Sequence, residues 1–65
     1  KTDSAIVLRP VSSVKSSPSY KSAKDLFVLH EGTKVWIIDS EGAWNNIELA
    51  DGRQGWIPSS DIENI

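Results

Sequence analysis

The residues of this chain that could do chemistry are few. His30 is its only histidine, and there is no cysteine. A bound metal needs several N, S or O ligands arranged around it. Asp25 and Glu31 are near His30 in sequence, but at an ordinary spacing, and His30 reads as a strand-end residue beside a turn. Serines are plentiful, yet a serine nucleophile needs a base and a third group to orient that base. Pairing His30 with Asp39 or Asp61 has no support in the sequence. No glycine-rich phosphate loop is present. Acidic pairs such as Glu48 and Asp51 read as a solvated face. The expectation is a non-enzymatic chain with no metal and no cofactor. The remaining functional residues are aromatic: three Trp, one Tyr and one Phe.

Bulk properties narrow the partner classes. The 65 residues form one domain at most, with a formal net charge of −2. Lys and Glu are interspersed and no basic patch stands out, so nucleic acid is not an expected partner. No apolar run approaches the roughly 18–20 residues of a membrane span, and no signal peptide is evident, so direct membrane insertion is not expected. The chain opens on Lys1 and reads as a fragment of a longer protein.

The elements that must position the aromatics are strands. Residues 1–4 (KTDS) are a polar, disordered or linker lead-in, and residues 5–65 form the domain. AIVL (5–8) is a short β-prone run stopped by Pro10. The serine-rich stretch from Val11 to Lys24 carries a short strand at Val11–Ser16 and then an irregular loop, with Val11, Val14 and Tyr20 as anchors and serine hydroxyls to serve the loop backbone. DLFVLHEG ends on Gly32, and TKVWIID is β-branched and aromatic. SEG turns into AWNNIELA, and Asp51-Gly52 is the strongest hairpin signal. RQGWIP is closed by Pro58, SSD suits a single 3-10 turn, and IENI is a last short strand. Regular turn signals without helical periodicity predict an all-β fold, a small barrel of about five to six short, mostly antiparallel strands. Alternation puts Val35, Ile37, Ile47, Leu49 and Ile57 in the core. Trp36 and Ile38 face away from Val35, and Trp44 is out of phase with Ile47 and Leu49.

These residues resemble the bacterial SH3 type of SH3-like barrel. SVKSSPS (Ser13–Ser19) is similar to that family's Asn-Val-Arg-Ser-Gly-Pro-Ser opening. LFVLHEGTKV, GAW and DGRQGWI match its hydrophobic strand with Gly-Thr-x-Val, its Gly-x-Trp and its Asp-Gly-Arg-x-Gly-Trp-Ile ending. The likeness runs from about Val11 to Ile62 and extends to carboxy-terminal SH3 modules of bacterial tetratricopeptide-repeat proteins of the aerotolerance type. It implies an interaction groove with Trp44 and Pro58 in its floor, Tyr20 as a wall, Trp56 beside them and Asp61 at the rim, its carboxylate an acceptor for a partner. Trp36, on another face, is a candidate contact for a partner. The departures are specific. Ser13 and Ser17 stand where the family has Asn and Gly, Asp61 stands where the groove usually has a tyrosine, and the Ala-Leu-Tyr-Asp-Tyr motif of eukaryotic SH3 domains is missing. Proline-rich recognition relies on aromatic ridges, so polyproline is not the expected ligand. The expected function is docking of a protein segment or an adjacent domain of the parent. The alternative is peptidoglycan binding, as in some bacterial SH3 domains. Either places the parent in the bacterial cell envelope, periplasmic or membrane-associated.

Overall fold

The computed structural model describes residues 2–65, and every regular element except one 3-10 turn is a strand. Seven strands run in order: β1 (Ser4–Val7), β2 (Val11–Lys15), β3 (Asp25–His30), β4 (Lys34–Glu41), β5 (Trp44–Glu48), β6 (Gln54–Pro58) and β7 (Ile62–Asn64). The 3-10 turn is Ser59–Asp61, between β6 and β7. All pairings are antiparallel, in one sheet of order β3-β2-β6-β5-β4-β1-β7.

Two features differ from the sequence expectation. There are seven strands, because AIVL and IENI both join the sheet and pair with each other as β1 and β7. The hydrogen-bonded order is also open, ending at β3 and β7, so the sheet is not closed into a barrel. In the polar lead-in, Lys1 lies outside the described residues. Ser4 already belongs to β1, and the Asp3 carbonyl accepts from the Ile37 N–H at 2.7 Å.

One face of the sheet gathers into a single core of Ala5, Val7, Val14, Leu29, Val35, Ile47, Leu49, Ile57 and Ile62. Four of the five residues assigned from alternation are in this set. The fifth, Ile37, is half-buried against it. A register shift between Ile37 and Asp39 breaks the β4 alternation, and Ile38 is exposed. Such a bulge bends the strand and sharpens its twist, which helps an open sheet curl over one core.

Two glycines carry the tight places. Gly52 has φ +92°, and its N–H donates to the Leu49 carbonyl at 3.0 Å. The Leu49 N–H in turn donates to the Arg53 carbonyl at 2.9 Å. This is a hairpin of a tight turn followed by a left-handed glycine. At Gly55 a side chain has no room. A Cβ there would overlap Val14 Cγ1 and lie 3.1 Å from the Lys15 carbonyl oxygen. β2 therefore crosses close over β6 at the place where Lys15 pairs with Trp56.

Candidate functional site: an aromatic patch beside a polar recess

The 16–24 loop follows β2 and is held by its own serines. Ser16 Oγ accepts from the Lys24 N–H at 2.9 Å. Ser19 Oγ accepts from the N–H groups of Lys21 and Ser22, both at 3.2 Å. The Ser17 carbonyl accepts from the Ser19 N–H at 2.8 Å. No non-glycine residue among those described has positive φ, so Ser17 stands in the glycine position of the motif without a left-handed backbone. The serine hydroxyls of this stretch are the groups that order it.

The loop delivers Tyr20 to Trp44. Their ring centroids are 4.7 Å apart and the planes tilt by 57°, within the range of favourable aromatic pairs. Tyr20 keeps 69% of its surface exposed. Trp44 opens β5 and lies opposite Pro58 of β6. Opposite residues of an antiparallel pair share a face, so Trp44 and Pro58 lie side by side on the outer face. Trp56 is two residues from Pro58, on the same face of β6, opposite Asn46 and Lys15. It is half-buried and borders the patch without lining its recess.

The recess is a cavity of about 260 Å³ whose walls include Arg9, Ser13, Lys15, Tyr20, Pro58 and Asp61. Of the residues expected from the sequence, it unites Tyr20, Pro58 and Asp61, and Trp44 adjoins through the Tyr20 ring. Asp61 is only 8% exposed. Its Oδ2 accepts a 2.7 Å bond from Ser12 Oγ, its Oδ1 lies 3.9 Å from Arg9 Nη1, and its carbonyl accepts from the Leu8 N–H at 2.8 Å. The carboxylate that was expected to stand at the rim for a partner is thus engaged inside the chain.

Sequence reasoning did not foresee the two cations at the recess. Arg9 remains mostly exposed. Lys15 Nζ bonds Asp25 Oδ1, and that bond and charge hold the Asp25 carboxyl below the usual carboxylate range. Both cations sit beside residues that sequence reasoning did single out, since Lys15 is within SVKSSPS and Arg9 precedes Pro10, which stops the AIVL run.

Trp36 lies elsewhere. It sits near the start of β4, opposite Ser4 and Glu48, and the Lys34 ammonium is 5.2 Å from its ring centroid. Trp44 pairs instead with Glu41 at the far end of β4. His30 ends β3 beside a turn. No group of three or more His, Cys, Asp or Glu among the described residues is placed to hold a metal ion, and no helix is long and apolar enough to cross a membrane. No family model, curated protein or solved structure matches this chain.

Proposed function

We propose that this chain is a non-catalytic interaction module of a larger bacterial protein, a variant of the bacterial SH3-like architecture, docking a protein segment or a neighbouring domain of its parent. The observation that carries the proposal is the Tyr20–Trp44 pair, with rings 4.7 Å apart beside Pro58 and a polar recess. An exposed tyrosine held by a loop of serine hydrogen bonds offers a large contact area at low conformational cost. Pro58 and the aromatic rings give an apolar floor, and Arg9 and Lys15 give donors at its edge. This is the composition of a small recognition site, with an apolar surface and a few placed polar groups. The SH3-like reading is supported by the motif likeness, by the 3-10 turn between the last two strands, and by the curl of one sheet around one core.

Polyproline is a poor fit. Such ligands need successive aromatic ridges, and the position that would supply one is Asp61, buried against Ser12. Peptidoglycan is the competing ligand. The deciding experiment is an NMR titration of the labelled chain with three probes: a PxxP peptide, a soluble peptidoglycan fragment, and the segment preceding Lys1 in the parent. Saturable shifts at Tyr20, Trp44 and Pro58 with the parent segment alone support docking. Micromolar binding of the PxxP peptide there overturns it, and binding of only the peptidoglycan fragment replaces it with wall targeting.

A further inference from the structure

A second opening shares no residue with the aromatic patch. It is a cleft of about 360 Å³ between β3 and the 49–53 turn, with Val28, His30, Lys34, Leu49 and Arg53 among its walls and Leu29 beneath them. β3 is one end of the hydrogen-bonded order, so its far side has no strand neighbour.

The pairing phase shows which peptide groups face the cleft. The Glu31 N–H donates to the Pro10 carbonyl at 3.3 Å. That pair is in register with Val11–His30 and Ser12–Leu29. Hydrogen-bonded and non-bonded pairs alternate along an antiparallel ladder. Leu29 and Phe27 therefore bond β2, while Val28 and His30 turn their N–H and C=O groups outward. The His30 carbonyl is used within its own turn, by the Thr33 N–H at 3.2 Å and Thr33 Oγ1 at 2.7 Å. By that phase the Val28 N–H and C=O and the His30 N–H lie outside the β2–β3 ladder, on the side where β3 has no strand neighbour.

Edges are usually guarded by lysine, proline or inward charge. The interior of β3 is Leu26-Phe27-Val28-Leu29, with none of these, and Leu26 and Val28 are about half exposed, at 49% and 51%. The charge lining the cleft is net positive, Lys34 and Arg53 against Asp51, with Glu31 just outside it, past the end of β3. Asp51 is neutralised by Arg53, whose N–H and Nε both donate to its carboxylate. Lys34 has no ion pair among the described residues and rests over the Trp36 ring.

From this geometry we infer that the β3 edge receives an extended, acidic peptide segment of a partner protein as an eighth strand. Main-chain bonds form at Val28 and His30. An apolar side chain covers Leu29 and Leu49, and a carboxylate sits beside Lys34. β-strand addition of this kind takes affinity from the ladder and specificity from alternate side chains. The inference is independent of the aromatic patch.

The test uses the labelled 65-residue chain and the capped peptide acetyl-TVEVTV-amide, with acetyl-TVKVTV-amide as control. The expected result is saturable shifts at Val28, His30, Leu49 and Arg53, slowed hydrogen exchange at the Val28 N–H, and binding of the glutamate peptide roughly threefold tighter, the scale of one exposed ion pair. Lys34→Glu should reverse that preference. Val28→Pro removes an N–H that points away from β2, a change an edge strand tolerates, and should abolish binding with the fold intact. If that variant does not fold, Lys34→Glu decides. Equal binding of the two peptides, shifts centred on Trp44, or no binding at millimolar peptide would overturn the inference. So would sedimentation showing that two copies of the chain pair through β3.

Discussion

Ser12 Oγ donates a 2.7 Å hydrogen bond to Asp61 Oδ2 in the interior, joining residues 49 apart in sequence. Ser12 is 2% exposed and Asp61 8%. Between β2 and β6 the ladder is paired at Lys15–Trp56, and nearer the start of β2 the Ser12–Asp61 bond and the Leu8 N–H to Asp61 carbonyl bond take over. Side-chain chemistry thus joins two segments where the open sheet lacks a continuous ladder. Ser12→Ala leaves a buried carboxylate without its donor and should cost about 1–3 kcal/mol in urea melts. Ser12→Ala with Asp61→Ala should cost less than the sum of the two single losses. Additive losses would show that the two groups act separately.

The core prediction rests on Ile57, fully buried between Gly55 and Pro58 of β6. Ile57→Ala should lower stability by roughly 2–5 kcal/mol, the range for a large-to-small change in a packed interior. Denaturant melts that show a loss under about 1 kcal/mol would contradict the central position given to Ile57.

The 49–53 hairpin depends on the left-handed Gly52, at φ +92°. Nothing lies within 4 Å of a Cβ built there, so the penalty for a side chain is one of backbone conformation. Gly52→Val should cost roughly 1–3 kcal/mol, since a β-branched residue is strained at positive φ. Gly52→Asn should cost less, because Asn visits that region more readily. Equal losses for the two variants would point to a clash with neighbouring atoms.

Much of this fold was legible in the chain. Strand boundaries followed Gly32, Asp51-Gly52 and Pro58, residues whose backbone preferences act locally. Alternation found Val35, Ile47 and Ile57 because each lies in a regular strand, and Leu49 because it follows the end of β5 in the same phase. It could not find Ala5, Val7 or Ile62, whose burial depends on β1 pairing with both β4 and β7, a long-range event with no local signature. The same limit applies to the site. Tyr20, Trp44 and Pro58 could be grouped by likeness to a known pattern. The Ser12–Asp61 bond had no signal, because nothing in either neighbourhood specifies the other.

Two exposed carboxylates set the expected acid response. Asp25 is lowered by its hydrogen bond and charge contact with Lys15. Asp51 is lowered first by the Arg53 backbone N–H and further by the Arg53 side chain. A carboxylate with a folded pKa below its unfolded value stabilises the fold above the unfolded value, about 3.9 for Asp, and loses that contribution as pH falls through the folded value. Stability should therefore decline below about pH 4. Asp25→Asn and Asp51→Asn should each flatten the decline, most visibly at low salt where surface charges are least screened. Melting curves taken downward in pH through the unfolded Asp value of about 3.9 check this. An unchanged acid limb in both variants would assign the response to other groups.

The last prediction concerns the aromatic patch. Tyr20 is mostly exposed and rests against Trp44, while the loop that carries it is held by the hydroxyls of Ser16 and Ser19. Tyr20→Ala removes a large contact surface without opening the core, so stability should change by roughly 0.5 kcal/mol or less, as for ordinary surface changes. Binding of the parent segment should weaken by about tenfold or more, the scale of a truncated aromatic anchor at an interface. Ser19→Ala tests the loop separately. It removes the acceptor for two backbone N–H groups and should weaken binding by loosening Tyr20 while leaving the ring itself in place. Titration calorimetry of the wild type and both variants, with melts alongside, separates these effects. A Tyr20→Ala variant that binds as tightly as the wild type would remove the patch from the recognition surface, and a large stability loss would make the ring a structural cover for Trp44.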